Sequence, residues 1–156
     1  MSQYTPSNTP APLEAHLGFW LRFVSNHVSA RFQSLLEAQG VTVTEWVALR
    51  TLWSQDETTH AELIQTLGIT KGAASKLVTR LEARGLAQRH LAEGSAREQS
   101  LRLSAAGKRL VPKLASLADA NDAHFFGHLP VKERQALMRA MQALVQHHQL
   151  QDLPTA

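Results

Sequence analysis

Two stretches of helical spacing meet at Gly68, and that junction constrains the chain more than any other feature. Upstream, "HAELIQTL" has the spacing of a short helix that a glycine closes, because glycine takes the left-handed conformation at little steric cost. After the single apolar residue Ile69, Thr70 is placed to cap a second helix, which runs to Arg84 and stops at Gly85. Within it Ala74, Leu77, Val78 and Leu81 recur on one face, leaving Lys71, Ser75, Lys76, Thr79 and Arg80 largely on the others. The spacing therefore predicts a helix-turn-helix whose second helix buries an apolar stripe and turns a polar, basic face outward.

Glycine, hydroxyl and lysine near a helix start attract anions, since unpaired amide groups point outward there. A nucleotide-phosphate loop is one structure that uses this, but it needs the spacing G-x-x-x-x-G-K-[ST], and the residue five beyond Gly68 is Ala73. No G-x-G-x-x-G occurs, and the segment before the turn has helical spacing where such a loop requires a strand. The other structure is a helix that enters the DNA major groove. The ordinary alternative is a helical hairpin inside an all-α bundle.

The flanks favour DNA. "LAQRHL" and "QSLRLS" bracket the turn-rich "AEGSARE" and predict a two-stranded hairpin, a wing carrying Arg97. Between Thr58 and Leu110 nine Lys and Arg face four acidic residues, whereas the formal net charge of the whole chain is only +3. A basic middle between near-neutral flanks implies an anionic partner for the middle alone. The expected fold is mainly α with a small β-hairpin wing.

Elsewhere the chain reads as amphipathic helix. Residues 1–12, with three prolines, form an expected flexible arm. From Leu13 to about Gln39, apolar residues at Leu17, Leu21, Val24, Val28, Phe32 and Leu35 predict a long helix stopped by Gly40. Thr44 is placed to cap "TEWVALRTLW", and "SQDETT" follows as a polar connection. Ser104 caps a helix to about Phe126 with Pro112 as an expected kink, and Pro130 opens a last helix carrying Leu137, Met141, Leu144 and Val145.

These spans divide the chain into a winged helix-turn-helix over 44–104, with the recognition helix at about 70–84 and the wing at about 86–103. Helices over 13–43 and 105–150 flank it. Their apolar stripes exceed what one small domain can cover, so a homodimer is expected. No segment has the roughly 18 apolar residues of a membrane span, and the opening "MSQYTPSNTPAP" lacks a secretory pattern, so the expected location is cytoplasmic. The absence of cysteine excludes disulfides and thiolate metal sites. No hydrolytic or nucleotide motif is present, so neither enzymatic activity nor a cofactor is expected.

"AELIQTLGITKGAASKLVTRLEARGLAQR" followed by "LRLSAAGKRL" resembles the recognition block and wing of the MarR family of winged helix-turn-helix transcriptional regulators. The likeness extends from about Leu13 to His148. It implies a homodimer on double-stranded DNA, commonly a repressor on a pseudo-palindromic operator. Thr70, Lys71, Ser75, Lys76, Thr79 and Arg80 are the expected DNA contacts on the helix, and Arg97 the contact at the wing tip. Where many members carry Asp-Arg-Arg at that tip, this chain has Ser95, Ala96 and Arg97.

The resemblance also implies a small aromatic or anionic effector whose binding releases DNA. Trp20 and His27 on the first helix, with Trp46 and Arg50 on the second, could offer it stacking surfaces, a titratable donor and a cation. Core packing is the ordinary role for either tryptophan. The chain has eight histidines, and His124, His128, His147 and His148 raise a metal-responsive alternative. No carboxylate or cysteine lies at diagnostic spacing with them, and no metal site is assigned. A helical protein-binding module without DNA binding is the remaining alternative.

Overall fold

A computed structural model describes residues 9–91 and 99–155. After a short 3-10 turn at Leu13–Ala15 come α1 (Leu17–Glu37), α2 (Val43–Ser54), β1 (Thr58–Thr59), α3 (His60–Leu67) and α4 (Lys71–Ala83). Strands β2 (Ala87–Leu91) and β3 (Gln99–Leu103) follow, then α5 (Ala105–Phe126) and α6 (Val131–His147).

The predicted helices are present, with local corrections. The first is not continuous from Leu13, because His16 is extended and separates the 3-10 turn from α1. The turn is held to α1 by the Trp20 indole N–H, which donates to the Glu14 carbonyl at 2.9 Å. The α2 cap is Thr42 rather than Thr44: its side chain accepts the Glu45 N–H, and Glu45 accepts the Thr42 hydroxyl. Thr44 therefore lies inside the first turn. Pro130 occupies the cap position of α6 and not its first helical position. α5 is a single helical span across Pro112.

The wing hairpin pairs antiparallel as expected, with Gln88 opposite Arg102 and His90 opposite Ser100. The sheet has a third strand, since β1 pairs with β3 through Thr58 opposite Leu101. Two residues are too short to leave a periodic signal, so β1 is hidden within the polar "ETT" connection.

Leu49 and Leu52 of α2, Leu63 and Leu67 of α3, Leu77, Val78 and Leu81 of α4, Leu101 and Leu103 of β3, and Val111 and Leu114 of α5 form one core. Leu36 at the end of α1 joins it, while Leu17, Leu21 and Val24 near its start are exposed. α1 also lies along α5, where Arg31 donates to Asn121 Oδ1 at 2.8 Å and the Asn121 amide donates to the Val28 carbonyl at 3.1 Å. α6 buries no side chain and carries an exposed row of Leu137, Met138, Met141, Leu144 and Val145.

Gly107 of α5 packs directly on the backbone at Leu86, just ahead of β2. A Cβ there would lie 2.1 Å from the Leu86 carbonyl oxygen, a backbone atom that no rotamer change can move. Gly107→Ala is expected to destabilise the fold by about 2 kcal/mol or more in denaturant titrations. Gly72→Ala in α4, where a Cβ meets nothing within 4 Å, should stabilise it by about 0.5–1 kcal/mol.

Candidate nucleic-acid interface

The helix-turn-helix begins at a reciprocal cap. Thr59 accepts the Glu62 N–H at 3.1 Å, and Glu62 accepts the Thr59 N–H at 3.2 Å, which satisfies two otherwise unpaired amides at the start of α3. Gly68 closes α3 in the left-handed region at φ 62°, with its N–H on the Ile64 carbonyl. Thr70 then caps α4 by accepting the Ala73 N–H at 3.1 Å. That bond uses an oxygen lone pair and leaves the hydroxyl proton available to an incoming acceptor.

The two faces of α4 divide as the spacing predicts. Ala74, Leu77, Val78 and Leu81 are buried, while Lys71, Ser75, Lys76, Thr79 and Arg80 are exposed. Burial of the three larger side chains stabilises this orientation by about 1.5–3 kcal/mol each. Rotating the helix to hide its polar face would forfeit that burial.

The cations of this region fall into two groups. Arg84 Nη1 lies 2.8 Å from Glu45 Oε2 and 2.7 Å from the Gly40 carbonyl, tying the end of α4 to the α1–α2 turn. Arg89 of β2 embraces Glu82 of α4 at 2.7 and 3.0 Å and also donates to Gln99. Arg102 of β3 approaches Glu57 at 3.8 Å. Lys71, Lys76 and Arg80, by contrast, have no acidic partner within 4.0 Å among the described residues. Their charges are open to solvent and to an anion.

A polar cluster lies at the base of the wing. Glu57 accepts from the Ser100 hydroxyl and pairs with His90, whose Nε2 lies 2.8 Å from Ser100 Oγ and 3.0 Å from Arg102. Ring protonation determines whether that nitrogen donates to Glu57 or accepts from Arg102. The Ser100 hydrogen bond is the main reason the Glu57 carboxyl is held below its ordinary value, with His90 and Arg102 adding to it and desolvation opposing.

The predicted effector residues lie in different surroundings. Trp46 is half-buried against the core, edge-on to Phe32 with centroids 6.2 Å apart. Trp20 is exposed near the start of α1, and His27 stacks on Phe23 one turn before it. Arg50 is exposed and reaches Ser54 at 3.4 Å. Ser95, Ala96 and Arg97 lie outside the described residues. No three His, Asp or Glu side chains come together as a metal site among the described residues, although His124 packs on Phe125 and His147 on His148. No described helix is long and apolar enough to cross a membrane.

A capped helical pair, a recognition-type helix and a β-hairpin around one core define a winged helix-turn-helix protein. Residues 39–98 match the family model described as MarR family. Over the chain as a whole, an HTH-type transcriptional repressor of Mycobacterium tuberculosis is 26% identical across 131 residues, 84% of this chain and 94% of that protein. BpsR of Bordetella bronchiseptica, whose DNA binding is regulated by 6-hydroxynicotinic acid, superimposes with a TM-score of 0.74 at 22% identity, covering 87% of this chain and 97% of that one. A mutant of Escherichia coli MarR complexed with operator DNA does so with a TM-score of 0.72 at 18% identity, covering 83% and 93%. Residues 39–98 are thus similar to the MarR family of winged helix-turn-helix transcriptional regulators, and the chain as a whole has the fold of the MarR structures it superimposes on.

Because the Glu57 carboxyl is lowered in the folded state, its stabilising contribution is full above the ordinary carboxylate value and is lost as pH falls through the folded one. The stability gap between the native chain and Glu57→Gln should therefore shrink on acidification below the usual carboxylate range. Thermal unfolding across pH checks this, and a gap that widens there contradicts the assignment.

Proposed function

We propose that this regulator binds a pseudo-palindromic operator as a homodimer, represses by occupying it, and is released by a small aromatic or anionic molecule. The observation that carries the DNA reading is the exposed face of α4, where Lys71, Lys76 and Arg80 have no acidic partner while neighbouring arginines are held in ion pairs. Lys71 and Lys76 neutralise backbone phosphates, Thr70 and Ser75 donate hydroxyls, and Thr79 and Arg80 reach base edges or the far phosphate. Arg97 enters the minor groove from the wing. The role is binding, not catalysis.

Support for the dimer comes from the apolar side chains left on α1 and α6, a larger exposed set than a folded monomer ordinarily shows. In this reading the helices of 13–43 and 105–150 form the dimer and 44–104 binds DNA. Two copies of α4 then face successive major grooves about 34 Å apart. Trp20, His27, Trp46 and Arg50 are the proposed effector contacts. The regulation of BpsR by an aromatic acid supports that ligand class. Release requires the effector to bind a second dimer geometry more tightly than the DNA-bound one.

Fluorescence anisotropy on DNA flanking the gene, titrated with salt, tests the interface. Lys71→Ala and Lys76→Ala should each lower the slope of log affinity against log salt by about 1 and weaken all sequences alike. Arg80→Ala should reduce operator affinity by about 1–3 kcal/mol if it reads a guanine. Unchanged slopes in both lysine variants would contradict the placement of α4, and a monomeric mass by light scattering would contradict the dimer.

A further inference from the structure

Residues beyond α6 return to the DNA-binding part of the chain and touch it at two points, the turn between α3 and α4 and the start of α2. Gln149 ends α6 in the left-handed region at φ 52°, and the Leu150 N–H caps the Val145 carbonyl at 3.0 Å. The chain then places Asp152, itself at φ 65°, against the turn before α4: a Cβ on Gly68 would lie 2.7 Å from Asp152 Cγ and 2.8 Å from its Oδ1. Three residues later the Thr155 carbonyl accepts the Thr44 hydroxyl of α2 at 3.1 Å. Gly68 thus serves twice, as the left-handed turn and as the space that Asp152 fills.

We propose that segment 149–155 is a strap holding a carboxylate beside the recognition helix, and that Asp152 tunes DNA affinity downward. This rests on the reading of α4 as the DNA-binding helix. A negative charge near a helix start is stabilised by the unpaired amides of the first turn. Here it lies two residues before the Thr70 cap, so it opposes phosphates approaching Thr70 and Lys71. Asp152 has no cationic partner within 4.0 Å among the described residues, so its charge is not locally cancelled. The strap also links α6, whose side chains are all exposed, to the helix-turn-helix.

Asp152→Asn keeps the shape and removes the charge. In anisotropy titrations of the full chain it should tighten DNA binding by about two- to tenfold at low salt, a gain that closes as screening shortens toward about 3 Å near 1 M. Thr44→Val releases the second anchor without changing charge. It should tighten binding in the native background and add nothing to Asp152→Asn, because both act through one carboxylate. Equal affinity of Asp152→Asn and the native chain at every salt concentration overturns the strap while leaving the DNA reading intact. A gain that persists at high salt overturns the electrostatic account. A native chain with no salt-dependent DNA binding overturns both readings.

Discussion

Burial of one face of α4 is the constraint on which the rest depends. Leu77, Val78 and Leu81 leave water by packing into the shared core against α3 and the sheet, and that packing fixes the rotation of the helix about its axis. Once it is fixed, Lys71, Ser75, Lys76, Thr79 and Arg80 point outward as a consequence. The face proposed to bind DNA is the remainder of the core, not a separately built site. In that proposal, small residues Gly72 and Ala73 near its start leave few base-reading side chains, which shifts discrimination toward Ser75, Thr79, Arg80 and DNA shape.

Charge pairs then hold the frame around this helix. Arg84 with Glu45 and the Gly40 carbonyl fastens its end to the α1–α2 turn, and Arg89 with Glu82 fastens the wing to it. The Glu57 cluster fastens the other side of the hairpin to the segment after α2. A buried or half-buried pair adds less net stability than its short distances imply, because both groups lose water. These pairs hold adjoining elements in one geometry and consume arginines that would otherwise add diffuse positive charge to the surface.

Much of this was legible in the sequence where the signal was local. The apolar spacing of α4, its Thr70 cap, the Gly68 turn and the hairpin all rest on residues within a few positions of one another, and the structure has them. Thr42 rather than Thr44 caps α2 because either threonine can start that helix; Glu45 three residues after Thr42 was the available clue. The long-range fasteners were not legible, since Arg84 meets Glu45 across 39 positions and Ser100 meets Glu57 across 43. Nor does spacing within α1 and α2 reveal that Trp46 packs inward on Phe32 while Trp20 faces solvent.

In the proposed dimer, a second copy of the chain covers the exposed rows on α1 and α6 and doubles the DNA contact. The spacing of two copies of α4 on one operator is the defining feature of that dimer. Hydroxyl-radical and major-groove methylation footprinting on DNA selected by the protein from random sequence measures it directly. Two dyad-related patches of major-groove protection, centred about 10 base pairs apart, are predicted. A single unpaired patch, or protection without sequence preference, would contradict it.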